Sequence, residues 1–168
     1  KDMNRLLSFF MLLIFSPVLF IVALIIFIDD GFPIFFRQKR VGLNGKYFKI
    51  YKFRTMKKNT PDIPTHLLKS TADLYTKTGP TLRKFSLDEI PQLINVILGD
   101  IVFIGPRPAL YNQQDLISLR RNKGLNELKP GITGWAQVNG RDNIGIHEKV
   151  ELDYYYYKHK SFSLQCKI

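Results

Sequence analysis

The sequence predicts a mixed α/β protein, mainly helical, with one short β-hairpin behind an apolar N-terminal helix. Three observations carry that prediction. Leu6 to Ile28, "LLSFFMLLIFSPVLFIVALIIFI", runs 23 residues without a charge, long enough to cross a bilayer as one straight helix. Two runs rich in aromatic and β-branched residues, "IFFRQKRVGL" and "KYFKIYKFRTM", flank Asn44-Gly45, a strong hairpin signal. Further on, Ile90, Leu93, Ile94 and Ile97 recur at the spacing of a helix packed on a core.

The apolar segment is too long for the core of a signal peptide and lacks a small-residue cleavage site. Ser16-Pro17 sits at its middle. Proline removes an N–H and clashes with the preceding turn, while serine can bond a freed carbonyl, so the pair can bend a helix inside lipid. Two topologies follow: a kinked single span, or a re-entrant helix-break-helix that enters and leaves by one leaflet. Lys1 and Arg5 precede the segment, and nine basic residues with no acid occupy positions 37 to 58. Basic flanks on both sides favour placing both ends in the cytoplasm, with Asp2, Asp29 and Asp30 blunting the signal.

At 168 residues and 45% hydrophobic content the chain is one domain by length, with enough apolar residues to bury a core. A formal charge of +11, from 25 basic and 14 acidic side chains, directs it toward anionic surfaces or substrates. A single cysteine, Cys166, excludes an intrachain disulfide framework and a cysteine-rich zinc site. His66, His147 and His159 show no metal-ligand spacing. The chain has no initiator Met and stops inside the apolar-looking "SFSLQCKI", so a longer natural protein is expected.

In the second hairpin strand Lys52 and Arg54 share a face, where lysine on an edge strand is ordinarily just solvated. Residues 57 to 80 are polar with three prolines and predict a long loop with at most a short helix. Next comes "RKFSLDEIPQLINVILGD", where two adjacent acids, Asp88 and Glu89, stand before the apolar stripe in an otherwise basic chain. Ser86 with Glu89 has the pattern of a capping box, but Pro91 fits better if Asp88 is the cap. Either way both acids belong at a helix mouth, which favours ionised carboxylates and bound phosphates. Gly99 marks the stop, followed by a short strand in "IVFIG".

Pro106-Arg107-Pro108 fixes the backbone around one guanidinium, suited to bidentate phosphate or carboxylate recognition. A helix around 109 to 123 ends at Lys123-Gly124. "KPGITGWAQVNGRD" is a shaped loop whose glycines either let backbone approach a phosphate, with Arg141 closing on it, or make a tight core turn around Trp135. The four tyrosines of "VELDYYYYKHKSF" at helical spacing suit a lipid headgroup region. There is no internal repeat, P-loop or Rossmann fingerprint.

In this order, Ser16-Pro17, "RVGLNGKYFKIYKFRTM", "LDEIPQLINVILGDIVFIGPRP" and "KPGITGWAQVNGR" with "ELDYYY" resemble the bacterial sugar transferase family, the monotopic phosphoglycosyl transferases. The resemblance covers most of residues 16 to 157. It implies a small, mainly helical α/β catalytic domain with a short hairpin over residues 31–168, and a re-entrant membrane helix over 1–30. It implies transfer of a sugar 1-phosphate from a UDP-sugar to polyprenyl (undecaprenyl) phosphate, with Mg²⁺, releasing UMP at the cytoplasmic face of the bacterial inner membrane. Asp88 and Glu89 match the family's catalytic acid pair and the metal position, Asp88 as the nucleophile that carries a covalent phosphosugar. Arg83 then meets the polyprenyl phosphate, Lys52 lines the same site, and Pro106, Arg107, Pro108 and Arg141 hold the nucleotide-sugar. Membrane lipid is a partner, nucleic acid is not, and a homo-oligomer is left open. The chain departs from the family in "KDMNRLL", where a basic pair and an aspartate are usual, and in the loop 57 to 80.

The rival reading is a membrane-anchored basic module that binds nucleic acid or anionic lipid, for which charge and tyrosines suffice. It leaves the acid pair and the Pro-Arg-Pro turn unexplained.

Overall fold

The computed structural model describes residues 2–58, 60, 72–140 and 144–168; positions 59 and 61–71 of the expected loop lie outside the described residues, as does Arg141. The described chain forms two compact units, Lys1–Gln38 with Ile50–Ile97, and Lys39–Lys49 with Leu98–Ile168. As predicted, it is mainly helical with a short β-hairpin and a long apolar helix first.

Helix α1, Asp2–Asp30, is continuous through Ser16-Pro17, where the residues leave open a kinked single span or the helix-break-helix that the resemblance implies. Pro17 cannot donate to the carbonyl four residues back, that of Leu13, and Ser16 Oγ donates to that same carbonyl at 2.7 Å. The first half of α1 is apolar and exposed, while Leu19, Val22, Ala23 and Ile26, one stripe at helical spacing, pack on Phe53 and Leu82. Among the described residues it is the second half of α1 that joins a hydrophobic core. Gly31, at φ +65°, ends the helix with its N–H on Phe27 O at 2.9 Å.

Strands β1, Phe35–Val41, and β2, Tyr47–Phe53, make a two-stranded sheet. Their link is longer than the predicted two-residue turn: Gly42 N bonds Lys46 O at 2.7 Å across residues 43 to 45, with Asn44 (φ 54°) and Gly45 (φ 76°) both left-handed. Both residue types tolerate that conformation, so the turn signal was right and its length was not.

After β2, residues 54–57 run beside 74–76, with Thr76 N on Thr55 O at 3.1 Å, Lys57 N on Leu74 O at 2.8 Å and an antiparallel bridge between Met56 and Tyr75. Helix α2, Gly79–Lys84, follows, with Pro80 in its first turn, a start signal that the sequence reading passed over. Gly79 is obligatory here, since a Cβ would lie 2.1 Å from Thr55 O. A 3₁₀ turn, Leu87–Glu89, then leads into α3, Gln92–Leu98, which stops at Gly99 with φ 86°.

In the second unit β3, Val102–Ile104, pairs in parallel with β4, Gly131–Thr133, in the register Val102 to Gly131 and Ile104 to Thr133. The predicted helix at 109 to 123 is shorter, α4 covering Gln114–Asn122 before Gly124 turns left-handed. Helices α5, Trp135–Val138, α6, Ile146–His159, and α7, Phe162–Cys166, complete the unit. Its core gathers Ala109, Leu116, Leu125 and Val150, with Tyr154 and Tyr157 packed against them. Tyr156 is buried and donates to Ile104 O at 3.3 Å, leaving Tyr155 as the one exposed member of the tyrosine run. Most of these rings serve the core and not an exposed band.

Candidate active site

The acid pair sits on the 3₁₀ turn and not at the mouth of a regular helix. Ser86 is left-handed at φ 55° and its side chain makes no capping hydrogen bond, so the capping box is not formed. Asp88 does not start α3 either, since α3 begins at Gln92 and is preceded by further tight turns, Leu93 N on Ile90 O at 3.0 Å and Ile94 N on Pro91 O at 3.1 Å. Proline at 91 is the reason: without an N–H it cannot continue a regular ladder, and the chain tightens around it.

Four residues marked in the sequence come together here. Lys52 Nζ lies 2.5 Å from Glu89 Oε1, both side chains mostly buried. Asp88 beside them is 6% exposed. Burial pushes its carboxyl above the usual range and the Glu89 charge adds to that, while the charges of Lys52 and Arg83 pull it back. The sequence expects a helix mouth to hold this group ionised; in the structure the dipole is missing and burial outweighs the two cations, so the pKa is raised.

Arg83, in the last turn of α2, is held by Thr55 Oγ1 (3.0 Å from Nε), Tyr75 OH (2.8 Å from Nη1) and Met56 Sδ (3.6 Å from Nη2), with the Tyr75 ring centroid 5.0 Å from its guanidinium carbon. Every one of those partners is neutral. Arg54, expected to share a face with Lys52, is instead buried and committed to the end of α1: it pairs with Asp30, and donates to Asp30 O at 3.0 Å, Gly31 O at 2.7 Å and Pro33 O at 2.6 Å. A cation on the free carbonyls of a helix end satisfies acceptors that have no other partner. Asp29 Oδ2 in turn accepts from Thr78 N at 2.8 Å and Oγ1 at 2.7 Å, tying α1 to the start of α2.

Sequence reasoning missed the polar face of α3. Asn95 Oδ1 takes the Tyr51 N–H at 2.9 Å, and Gln92, 1% exposed, lies one tight turn beyond Glu89, its Nε2 without a hydrogen-bond partner among the described residues. Polar residues at 89, 92 and 95 break the apolar stripe at intervals of three, the one signal that was available.

The Pro-Arg-Pro turn belongs to the second unit, where its carbonyls are all taken. Pro106 O accepts from Gly131 N at 2.9 Å, Arg107 O from Arg120 Nη1 at 2.8 Å, Pro108 O from Arg40 Nη1 at 3.0 Å and Ala109 O from Val41 N at 3.0 Å. Arg120 also pairs with buried Asp153, Nη2 to Oδ2 at 2.6 Å. The glycines of "GITGW" serve this turn: a Cβ on Gly131 would meet Gly105 N at 2.2 Å, and one on Gly134 would meet Gly105 O at 2.2 Å. They admit a backbone crossing, and Arg107 is mounted on it. No local pattern marked Arg120 or Arg40.

A family model described as bacterial sugar transferase matches residues 1–168. The chain belongs to the bacterial sugar transferases. Among the relatives of this transferase, the protein of Bacillus subtilis (strain 168) named uncharacterized sugar transferase EpsL is 44% identical over 161 residues, covering 96% of this chain and 78% of that one. The UDP-glucose:undecaprenyl-phosphate glucose-1-phosphate transferase of Escherichia coli (strain K12) is 40% identical over 164 residues, 94% of this chain and 35% of that protein. The UDP-N-acetylgalactosamine-undecaprenyl-phosphate N-acetylgalactosaminephosphotransferase of Aeromonas hydrophila is 34% identical over 160 residues, 92% of this chain and 38% of that protein. This transferase thus spans little more than a third of the length of the latter two.

Proposed function

We propose that this sugar transferase moves a sugar 1-phosphate from a UDP-sugar to undecaprenyl phosphate, in two displacements through Asp88. The observation that carries the reading is a buried carboxylate on a tight turn, opposed by the charges of Lys52 and Arg83 and adjacent to Glu89. Relatives named for undecaprenyl-phosphate sugar phosphate transfer support the same reaction.

In the first displacement an Asp88 carboxylate oxygen attacks the phosphorus that carries the sugar, and the bond from that phosphorus to the bridging oxygen breaks, so UMP leaves with the electron pair. In the second, an oxygen of the acceptor phosphate attacks the same phosphorus and the bond to Asp88 breaks, restoring the carboxylate. Lys52 and Arg83 hold phosphate oxygens and offset the charge that gathers at phosphorus. Arg107, on its fixed turn, holds the nucleotide side with Arg141.

Asp88 and Glu89 would hold Mg²⁺. Among the described residues no three acidic, His or Cys groups cluster, and two adjacent hard carboxylates suit an ion that takes one or two protein ligands and completes its shell with water and substrate phosphates. When bound, it supplies charge neutralisation of the diphosphate.

The N-terminal helix is proposed to be re-entrant, placing the acids at the cytoplasmic surface of the inner membrane, a reading supported by basic flanks on both sides of the apolar run. The test of the reaction is a single-turnover experiment with a UDP-sugar panel, Mg²⁺ and no acceptor. Wild-type protein should release about one UMP per site and gain the mass of a sugar phosphate at Asp88. Asp88→Asn should do neither; an adduct on Glu89, or full activity in Asp88→Asn, would remove the mechanism.

A further inference from the structure

Arg83 acts on the Asp88 carboxyl by its charge, yet among the described residues its own contacts are all to neutral groups. Nε donates to Thr55, Nη1 to Tyr75 and Nη2 to Met56, and among the described residues each terminal nitrogen keeps a second N–H. Among the described residues no carboxylate contacts it, and its orientation is set from three sides and by the Tyr75 ring. An arginine fixed this way is prepared for a bidentate anion, because the cost of ordering its long side chain is met before the ligand arrives.

The neighbours that fix it are themselves anchored. Thr55 and Met56 follow Arg54, which locks the end of α1, and Tyr75 is bridged to Met56 through the backbone. The short run "FRTM" thus works in two directions: its arginine holds the apolar helix, and its next two residues hold Arg83.

We propose that Tyr75 is a positioning residue for Arg83, whose hydroxyl and ring aim the guanidinium at the phosphate monoester of the lipid acceptor. The inference rests on the proposed reaction only for the identity of that phosphate. Tyr75 itself touches no reacting atom. Its hydroxyl accepts from Nη1 and its ring lies 5.0 Å from the guanidinium carbon, so the two together limit the orientations open to the group.

The experiment titrates the full chain in nanodiscs with farnesyl phosphate, a short polyprenyl monoester, and separately with UDP. Tyr75→Phe keeps the ring and the backbone bridge and removes the hydroxyl; it is expected to weaken farnesyl phosphate about tenfold and leave UDP at the wild-type affinity. Tyr75→Leu, which also removes the ring, is expected to weaken it further. In turnover with undecaprenyl phosphate the Tyr75→Phe change is expected in the acceptor KM, with the UDP-sugar KM constant. Unchanged farnesyl phosphate binding in Tyr75→Phe, or equal weakening of UDP, would overturn the inference. Tyr75-dependent farnesyl phosphate binding in a protein that transfers no sugar phosphate would sink the proposed reaction and leave this inference standing.

Discussion

Lys52 Nζ and Glu89 Oε1 lie 2.5 Å apart across 37 residues of chain, joining the second hairpin strand to the acid-bearing turn. The pair is mostly buried, so breaking one side leaves a charge in a poorly solvated place. Lys52→Met should lower turnover by one to two decades, about the worth of a lost charged hydrogen bond of roughly 1.5 to 3 kcal/mol. Lys52→Met with Glu89→Gln should cost less than the sum of the two single changes. Strict additivity in a double-mutant cycle of rates would show that the contact has no part in the site.

Gln92, three residues beyond Glu89, has a buried amide nitrogen with no hydrogen-bond partner among the described residues. Leaving a buried donor unsatisfied costs about 1 to 3 kcal/mol. Gln92→Met, similar in volume and without the amide, should therefore raise the unfolding midpoint while lowering turnover, the pattern of a residue kept for activity at the expense of stability. A lowered midpoint would mean that the amide is satisfied in the working protein.

Asp153 is buried under Arg120, and burial raises its carboxyl pKa above the ordinary 3.8, against the pull of Arg120 and Lys149. The folded state then binds more protons than the unfolded one between 3.8 and that raised value. Its contribution to stability is fully present below pH 3.8 and is lost as pH rises through the folded value. Compared with Asp153→Asn, wild type should lose relative stability across this window in thermal melts taken from pH 3.5 upward, the lower end chosen just under about 4. The opposite slope would show that Arg120 outweighs burial.

Ser16 Oγ occupies the carbonyl that Pro17 leaves without a donor. If the helix is re-entrant, single cysteines at Asn4 and Asn44, in a Cys166→Ser background, should both react with an impermeant thiol reagent from the cytoplasmic side. Periplasmic labelling at position 4 would establish a span. Ser16→Ala with Pro17→Ala should straighten the segment and move position 4 toward periplasmic labelling.

The sequence by itself determined what one residue type or a short spacing can encode. The apolar run of α1, the left-handed pair Asn44-Gly45 and the stop at Gly99 follow from local solvation and backbone freedom, and each is where the sequence placed it. Asp88 and Glu89 were legible as unusual because two acids stand out in a basic chain. Their setting was not legible. Local rules expected a capped helix, and the tight turns around Pro91 replaced it, because a short helix in a packed unit is shaped by its contacts more than by its propensity. Tertiary structure alone decided which of the many cations went to which task. Lys52 reached Glu89, Arg54 took the end of α1, Arg83 settled among neutral groups and Arg120 paired with Asp153, 33 residues away. Lysine and arginine look alike in a one-dimensional pattern; burial and the partners that folding brings across such distances separate a cation committed to a carboxylate from one held, among the described residues, by neutral groups.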